Sequence, residues 1–168
     1  MPVSQFSRSL FSLTERLASL VCLFCLVSAN AQTINEDTTW TLADSPVSTS
    51  GITVTDGFTL TIEAGVEVRV ATNGTVAVHS GGNLVAEGTA SENILFTHDS
   101  DEPTTGGWAG VVVREGGALT FRHTTVEYGG AINYNLDSRA IFTVSSPDVL
   151  LEDCVLRYSS MDGLVLKR

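Results

Sequence analysis

Between Gly51 and Gly88 the chain repeats itself at a fixed interval. Shifted by 24 residues, Ile52 falls on Val76, Val54 on Val78, Gly57 on Gly81 and Leu60 on Leu84. Short runs rich in Val, Ile, Leu and Thr end at glycine-bearing turns: Asp56-Gly57, Ala64-Gly65, Asn73-Gly74 and Gly81-Gly82. Apolar and polar residues alternate within the runs, as in Ile52-Thr53-Val54 and Leu60-Thr61-Ile62, which marks half-buried strands. A fixed period of this size predicts a solenoid, in which each unit buries its apolar face only on its neighbours. The same alternation assigns Ile52, Val54, Leu60, Ile62, Val66, Val68, Val76, Val78 and Leu84 to the core. Thr53, Thr61, Glu67 and Arg69 are expected to face outward.

A second repeat has a longer interval. Gly117 to Ile132 lies over Pro147 to Asp162 at an offset of 30, with Phe121 on Leu151, Val126 on Leu156 and Tyr128 on Tyr158. Unequal coils suit a parallel β-helix, because turns can lengthen while the strands stay in register. An all-β fold of about five rungs, each 4.8 Å high, is therefore predicted for residues 51–168. The alternative is a β-sandwich. Asp56-Gly57 and Asn73-Gly74 suit hairpins, and a sandwich would pair Ile52–Val54 antiparallel with Leu60–Ile62.

Residues 32–50 are polar and read as a cap over the first coil, with Trp40 as a core plug. At the other end Gly163-Leu164-Val165-Leu166 reads as a strand followed only by Lys167 and Arg168. The last coil is thus expected to lack a cap, and either further coils or self-association is expected to cover it.

Residues 1–31 stand apart. Arg8 and Arg16 precede the apolar run Leu17 to Val27, and Ala29 and Ala31 form an A-x-A cleavage site. This is a secretory leader, too short for a membrane span. The exported chain has 168 − 31 = 137 residues, enough for one domain. The full chain carries 9 basic and 19 acidic side chains. Losing Arg8, Arg16 and Glu15 leaves 7 and 18, a net charge of −11, which excludes nucleic acid and anionic membranes as favoured partners. Cys154 alone remains of three cysteines, so no internal disulfide forms in the oxidising compartment. Its neighbours Leu151, Val155 and Leu156 predict a buried, inert thiol.

The run Thr59 to Val68 (TLTIEAGVEV), the run Gly88 to Thr97 (GTASENILFT) and the step Gly106 to Gly110 (GGWAG) resemble bacterial secreted right-handed parallel β-helix proteins. The V-E-Y and L-R-Y steps at Tyr128 and Tyr158 resemble later coils of such proteins. The resemblance covers nearly all of the exported chain. It implies a right-handed β-helix and a secreted or cell-surface location, and in such steps Trp108 belongs to the coil core. It implies function only loosely, because the fold serves lyases, hydrolases and adhesins alike.

The acidic loop His98 to Glu102 gathers Asp99, Asp101 and Glu102 within four residues. Those are oxygen ligands of the type calcium takes, set against the simpler reading of a solvated loop. No other cofactor is indicated, since His79, His98 and His123 lack the short spacing of a zinc site. Asn73-Gly74-Thr75 matches a glycosylation triplet but serves equally as a turn. Arg114, Arg122, Arg139 and Arg157, with Glu115 and Glu127, are the candidates for polysaccharide cleavage. Such pairs on strand faces are more often cross-strand ion pairs. The leading expectation is therefore a structural or interaction module with a polysaccharide or cell-surface partner. The alternative is a fragment of a carbohydrate-active enzyme.

Overall fold

The computed structural model describes residues 30–132 and 140–167, and there the chain winds in three-sided coils. The first coil is β1 (Ala31–Ile34), β2 (Thr38–Trp40) and β3 (Val47–Thr49). The second is β4 (Gly51–Val54), β5 (Thr59–Ile62) and β6 (Glu67–Val70). The third is β7 (Thr75–Val78), β8 (Asn83–Glu87) and β9 (Ile94–His98). The fourth is β10 (Gly110–Val113), β11 (Ala118–Arg122) and β12 (Thr124–Glu127). The fifth is β13 (Ala140–Val144), β14 (Val149–Glu152) and β15 (Val155–Arg157), and β16 (Asp162–Leu166) opens a sixth. Three sheets result: β1-β4-β7-β10-β13-β16 (sheet A), β2-β5-β8-β11-β14 (sheet B) and β3-β6-β9-β12-β15 (sheet C).

Every pairing is parallel. The protein is a right-handed parallel β-helix, the hand that crossovers between parallel strands take. The sandwich is excluded. Ile52 lies between Gln32 and Val76, one coil away on either side. Asp56-Gly57 carries the chain from sheet A to sheet B and closes no hairpin.

Three inward columns make the core. Sheet A contributes Ile52, Val76, Val111, Phe142 and Leu164 in register. Sheet B contributes Leu60, Leu84, Leu119 and Val149, and sheet C contributes Val68, Phe96, Val126 and Leu156. All nine residues assigned inward from the alternation are buried. Phe121 ties the sheets together. It stacks on Phe96 at 5.2 Å between centroids and meets Phe142 edge-on at 5.7 Å. Trp108 is fully buried, and its indole N–H donates to the Glu127 carbonyl at 2.8 Å, so the polar end of the ring is satisfied inside the core.

The segment 32–50, expected as a cap, is a coil in its own right, since β1, β2 and β3 extend all three sheets. It still plugs that end of the core with Trp40 and Ile34, both buried. Residues 1–29, which hold most of the expected leader and Ala29 of its cleavage site, lie outside the described residues. Ala31 is the first residue of β1 and pairs with Gly51. At the opposite end the inward residues Val149, Leu151 and Leu156 of the fifth coil are only partly covered. Leu164 and Leu166 of β16 are exposed, and with Val144, Val149 and Leu151 they line an apolar hollow of about 360 Å³.

Candidate functional site

The three turns that lead from sheet A to sheet B in coils two, three and four share one geometry. They are Thr55–Phe58, His79–Gly82 and Arg114–Gly117. In each, the fourth N–H donates to the first carbonyl, at 3.3, 3.0 and 2.9 Å. Successive turns are bonded to one another: the Gly57 N–H donates to the Gly81 carbonyl at 3.1 Å, and the Gly81 N–H to the Gly116 carbonyl at 2.8 Å. Gly81 and Gly116 have φ of 76° and 74°, a region that side chains other than glycine enter at a cost. Their bare Cα atoms also make room. A Cβ on Gly81 would collide with the Asp56 carboxylate, and one on Gly116 with the Ser80 hydroxyl. Glycine at the third position therefore lets the second side chain of each turn lie over the turn above.

Stacking makes two polar columns. Thr55, His79 and Arg114 form one, and Asp56, Ser80 and Glu115 the other. Together they line a groove of about 550 Å³. Burial, and after it the nearby Arg114 guanidinium, holds the His79 imidazole below its ordinary range, so it is neutral at pH 7. The groove thus presents the Ser80 hydroxyl, two carboxylates, one guanidinium and one neutral imidazole on a backbone fixed by sheet and turn hydrogen bonds, while the Thr55 hydroxyl donates to the Ile34 carbonyl at 2.7 Å and is left as an acceptor. Such a lining both donates and accepts along its length.

The other candidate residues are dispersed. Asp101 and Glu102 are exposed in the loop between β9 and β10, and Asp99 is half-buried. Among the described residues no group of three or more His, Cys, Asp or Glu side chains is gathered to hold a metal ion. The three histidines occupy three different corners. His98 bonds Thr72 at 3.1 Å and His123 lies 3.7 Å from Asp153, both far along the chain from His79. Two of the arginines are in cross-strand ion pairs. Arg122 joins Glu87 at 3.1 Å and also Glu152, its neighbours in register on sheet B. Arg157 joins Glu127 at 2.6 Å, and Thr97 donates to the other Glu127 oxygen at 3.1 Å. The Glu127 contact pushes the Arg157 guanidinium further up its range, the opposite of what a general base requires. Arg139 lies outside the described residues.

Beside that pair, Tyr128 and Tyr158 stack at 4.9 Å between centroids, with Arg157 5.2 Å from the Tyr158 centroid. Both tyrosines have positive φ, 59° and 55°, uncommon for bulky residues. The exposed ends of the stack mark the corner between sheets C and A. Cys154 is half-buried against the core, its thiol donating to the Phe121 carbonyl at 3.4 Å, and burial pushes it above the ordinary thiol range.

The groove was missed from sequence. Its members are spaced by 24 and then 35 residues, and only the first interval repeats visibly. The recoverable signal was the glycine at the third place of three turns, Asp56-Gly57, Ser80-Gly81 and Glu115-Gly116.

The sequence profile of the pectate-lyase-like β-helix domain matches residues 32–135, more than half the chain. The chain belongs to the pectate-lyase-like β-helix domain family. All three groove turns lie inside the matched stretch, as do the first four coils apart from Ala31. Membership of a family so described makes this β-helix a carbohydrate-related protein. No curated protein and no solved structure matches the chain.

Proposed function

We propose that this β-helix is an exported glycan-binding module that holds a polysaccharide strand along the corner groove and does not cleave it. The observation that carries the reading is the groove lining: donors and acceptors on three successive coils, fixed by turn-to-turn hydrogen bonds. Sugar hydroxyls both donate and accept, and preorganised polar groups bind them without an ordering cost on the protein side. Family membership supports a carbohydrate ligand. The leader at residues 1–31 supports export to the medium or the cell surface.

Two features favour binding over cleavage. Outside the groove, Arg122 and Arg157 are taken up with carboxylates in cross-strand ion pairs. In the groove, Asp56 and Glu115 sit on turns two coils apart with Ser80 between them, so no two carboxylates share one rung.

Affinity electrophoresis of the purified protein through gels containing soluble polysaccharides tests the proposal. Retardation is expected on at least one polymer, and Arg114→Ala should weaken it about tenfold, the loss of a charge-assisted hydrogen bond. An unretarded protein on every polymer would reject the reading. Release of reducing ends, abolished by Asp56→Asn or Glu115→Gln, would replace it with hydrolysis.

A further inference from the structure

We infer that the corner groove takes an uncharged polysaccharide and discriminates against polyuronate. The inference rests on the glycan-binding reading of the groove and names its ligand class. Four titratable or charged groups face the ligand space: Asp56 from the turn after β4, His79 from the turn after β7, and Arg114 and Glu115 from the turn after β10. Two carboxylates against one guanidinium give the groove a net negative charge when His79 is neutral. Burial and the adjacent Arg114 keep that imidazole neutral at pH 7.

The geometry sets the carboxylates in the second column, Asp56 on coil two and Glu115 on coil four, with Ser80 between them. A strand lying along the groove meets acidic oxygens at both ends. Sugar hydroxyls donate well to those oxygens, and the carboxylates have no hydrogen to give in return. A polyuronate brings a carboxylate on every sugar. Only Arg114 and the His79 N–H, both in the first column, favour it. The remaining contacts set like charges against each other, and because Asp56 and Glu115 are exposed this repulsion is felt at low salt and screened as salt rises. The chain as a whole adds to the repulsion, with a net charge of −10.

One polymer pair isolates charge from shape: a highly methyl-esterified polygalacturonan and the same material after de-esterification. Binding of the full chain to each is measured at pH 8 and low salt, beside neutral xylan and β-glucan. At least one uncharged polymer should bind. The esterified polygalacturonan should bind at least tenfold more tightly than its de-esterified form, and added salt should narrow that ratio. Asp56→Asn combined with Glu115→Gln should shift the ratio at least tenfold toward the de-esterified polymer. Preference of the wild type for the de-esterified form would overturn the inference while leaving the glycan-binding reading in place. An unchanged ratio in the double variant would also overturn it. Failure of every polymer to bind would overturn both.

Discussion

Leu60 and Leu164 provide the most direct test of the coil register, because the same substitution meets two different surroundings. Leu60 is 0 % exposed and lies between Thr38 and Leu84 on the neighbouring coils. Leu60→Ala removes the buried methyls and leaves a cavity with a strand ladder on either side. Buried Leu→Ala changes cost about 2–5 kcal/mol, and the upper half of that range is expected where hydrogen-bonded rungs on both sides resist collapse. Leu164 is 45 % exposed and pairs with Phe142 on one side. Full burial of a leucine is worth about 1.5–3 kcal/mol, so roughly half of that, about 1–1.5 kcal/mol, is at stake. No closed cavity forms at a site open to water. Thr61→Ala, on the outer face of the same strand, should change stability by no more than about 0.5 kcal/mol. Urea titrations followed by circular dichroism give the differences directly, provided the slopes are unchanged. A cost below about 1 kcal/mol for Leu60→Ala would refute the register. Equal and large costs at both leucines would mean that the fifth coil is covered in solution.

Four further outcomes follow from particular contacts. The pKa of His79 is lower folded than unfolded, so its contribution to stability is complete above the unfolded value of about 6.5 and is lost as pH falls through the folded value. His79→Gln should flatten the loss of urea midpoint below about pH 6.5, and an unaltered slope would contradict the burial of the imidazole. Cys154, shielded and raised above the usual thiol range, should react with thiol reagents at pH 7.5 at least tenfold more slowly than free cysteine; matching rates would contradict its packing. For the acidic loop, a melting temperature that calcium raises and chelation lowers, with Asp99→Asn plus Asp101→Asn abolishing the difference, would assign it an ion. A melting curve indifferent to both calcium and chelator would leave only the solvated-loop reading. The apolar end formed by Val149, Leu151, Leu164 and Leu166 should drive self-association with rising concentration, and Leu164→Lys plus Leu166→Lys should suppress it. A wild-type monomer across the whole range in sedimentation would refute that.

The fold was legible wherever one coil copies another. The offset of 24 matches the observed partners Ile52–Val76, Val54–Val78 and Leu60–Leu84, and the offset of 30 matches Phe121–Leu151 and Val126–Leu156. Other intervals were hidden because turns differ in length. In sheet C the interval from coil two to coil three is 28, as Val68 and Phe96 show, because the Gly88–Asn93 turn is longer than its counterpart. From coil three to coil four in sheet A it becomes 35, as Val76 and Val111 show, because the loop from Asp99 to Ala109 is inserted. The first coil read as a cap because two of its strands have only three residues, too few for alternation to register. The acidic loop stands out in the sequence and the groove does not, because adjacency along the chain is visible in a sequence and convergence in space is not.

The columns that packing fixes and the columns it leaves free differ in character, and that contrast locates the groove. Inward columns stay apolar from coil to coil while their sizes vary, as Leu60, Leu84 and Leu119 and, beside them, Ile62, Ala86 and Phe121 do in sheet B, because every one of them faces a close-packed core. Outer columns that are charged pair with one another in register. Glu87, Arg122 and Glu152 form one ladder, and Thr97, Glu127 and Arg157 another. Their groups are spent on each other, and ladders of this kind hold neighbouring coils in step. Thr55, His79 and Arg114 follow neither rule. They share a backbone position whose turn geometry is constant, yet they have no common size, charge or hydrogen-bonding role, and the core places no demand on them. Asp56, Ser80 and Glu115 vary in the same way beside them. In a solenoid such a column can change its chemistry without disturbing the fold, so a ligand recognised there can differ between proteins that share every inward column. That separation explains why the family assignment fixes the coil and leaves the chemistry of the groove to six side chains that the coil does not dictate.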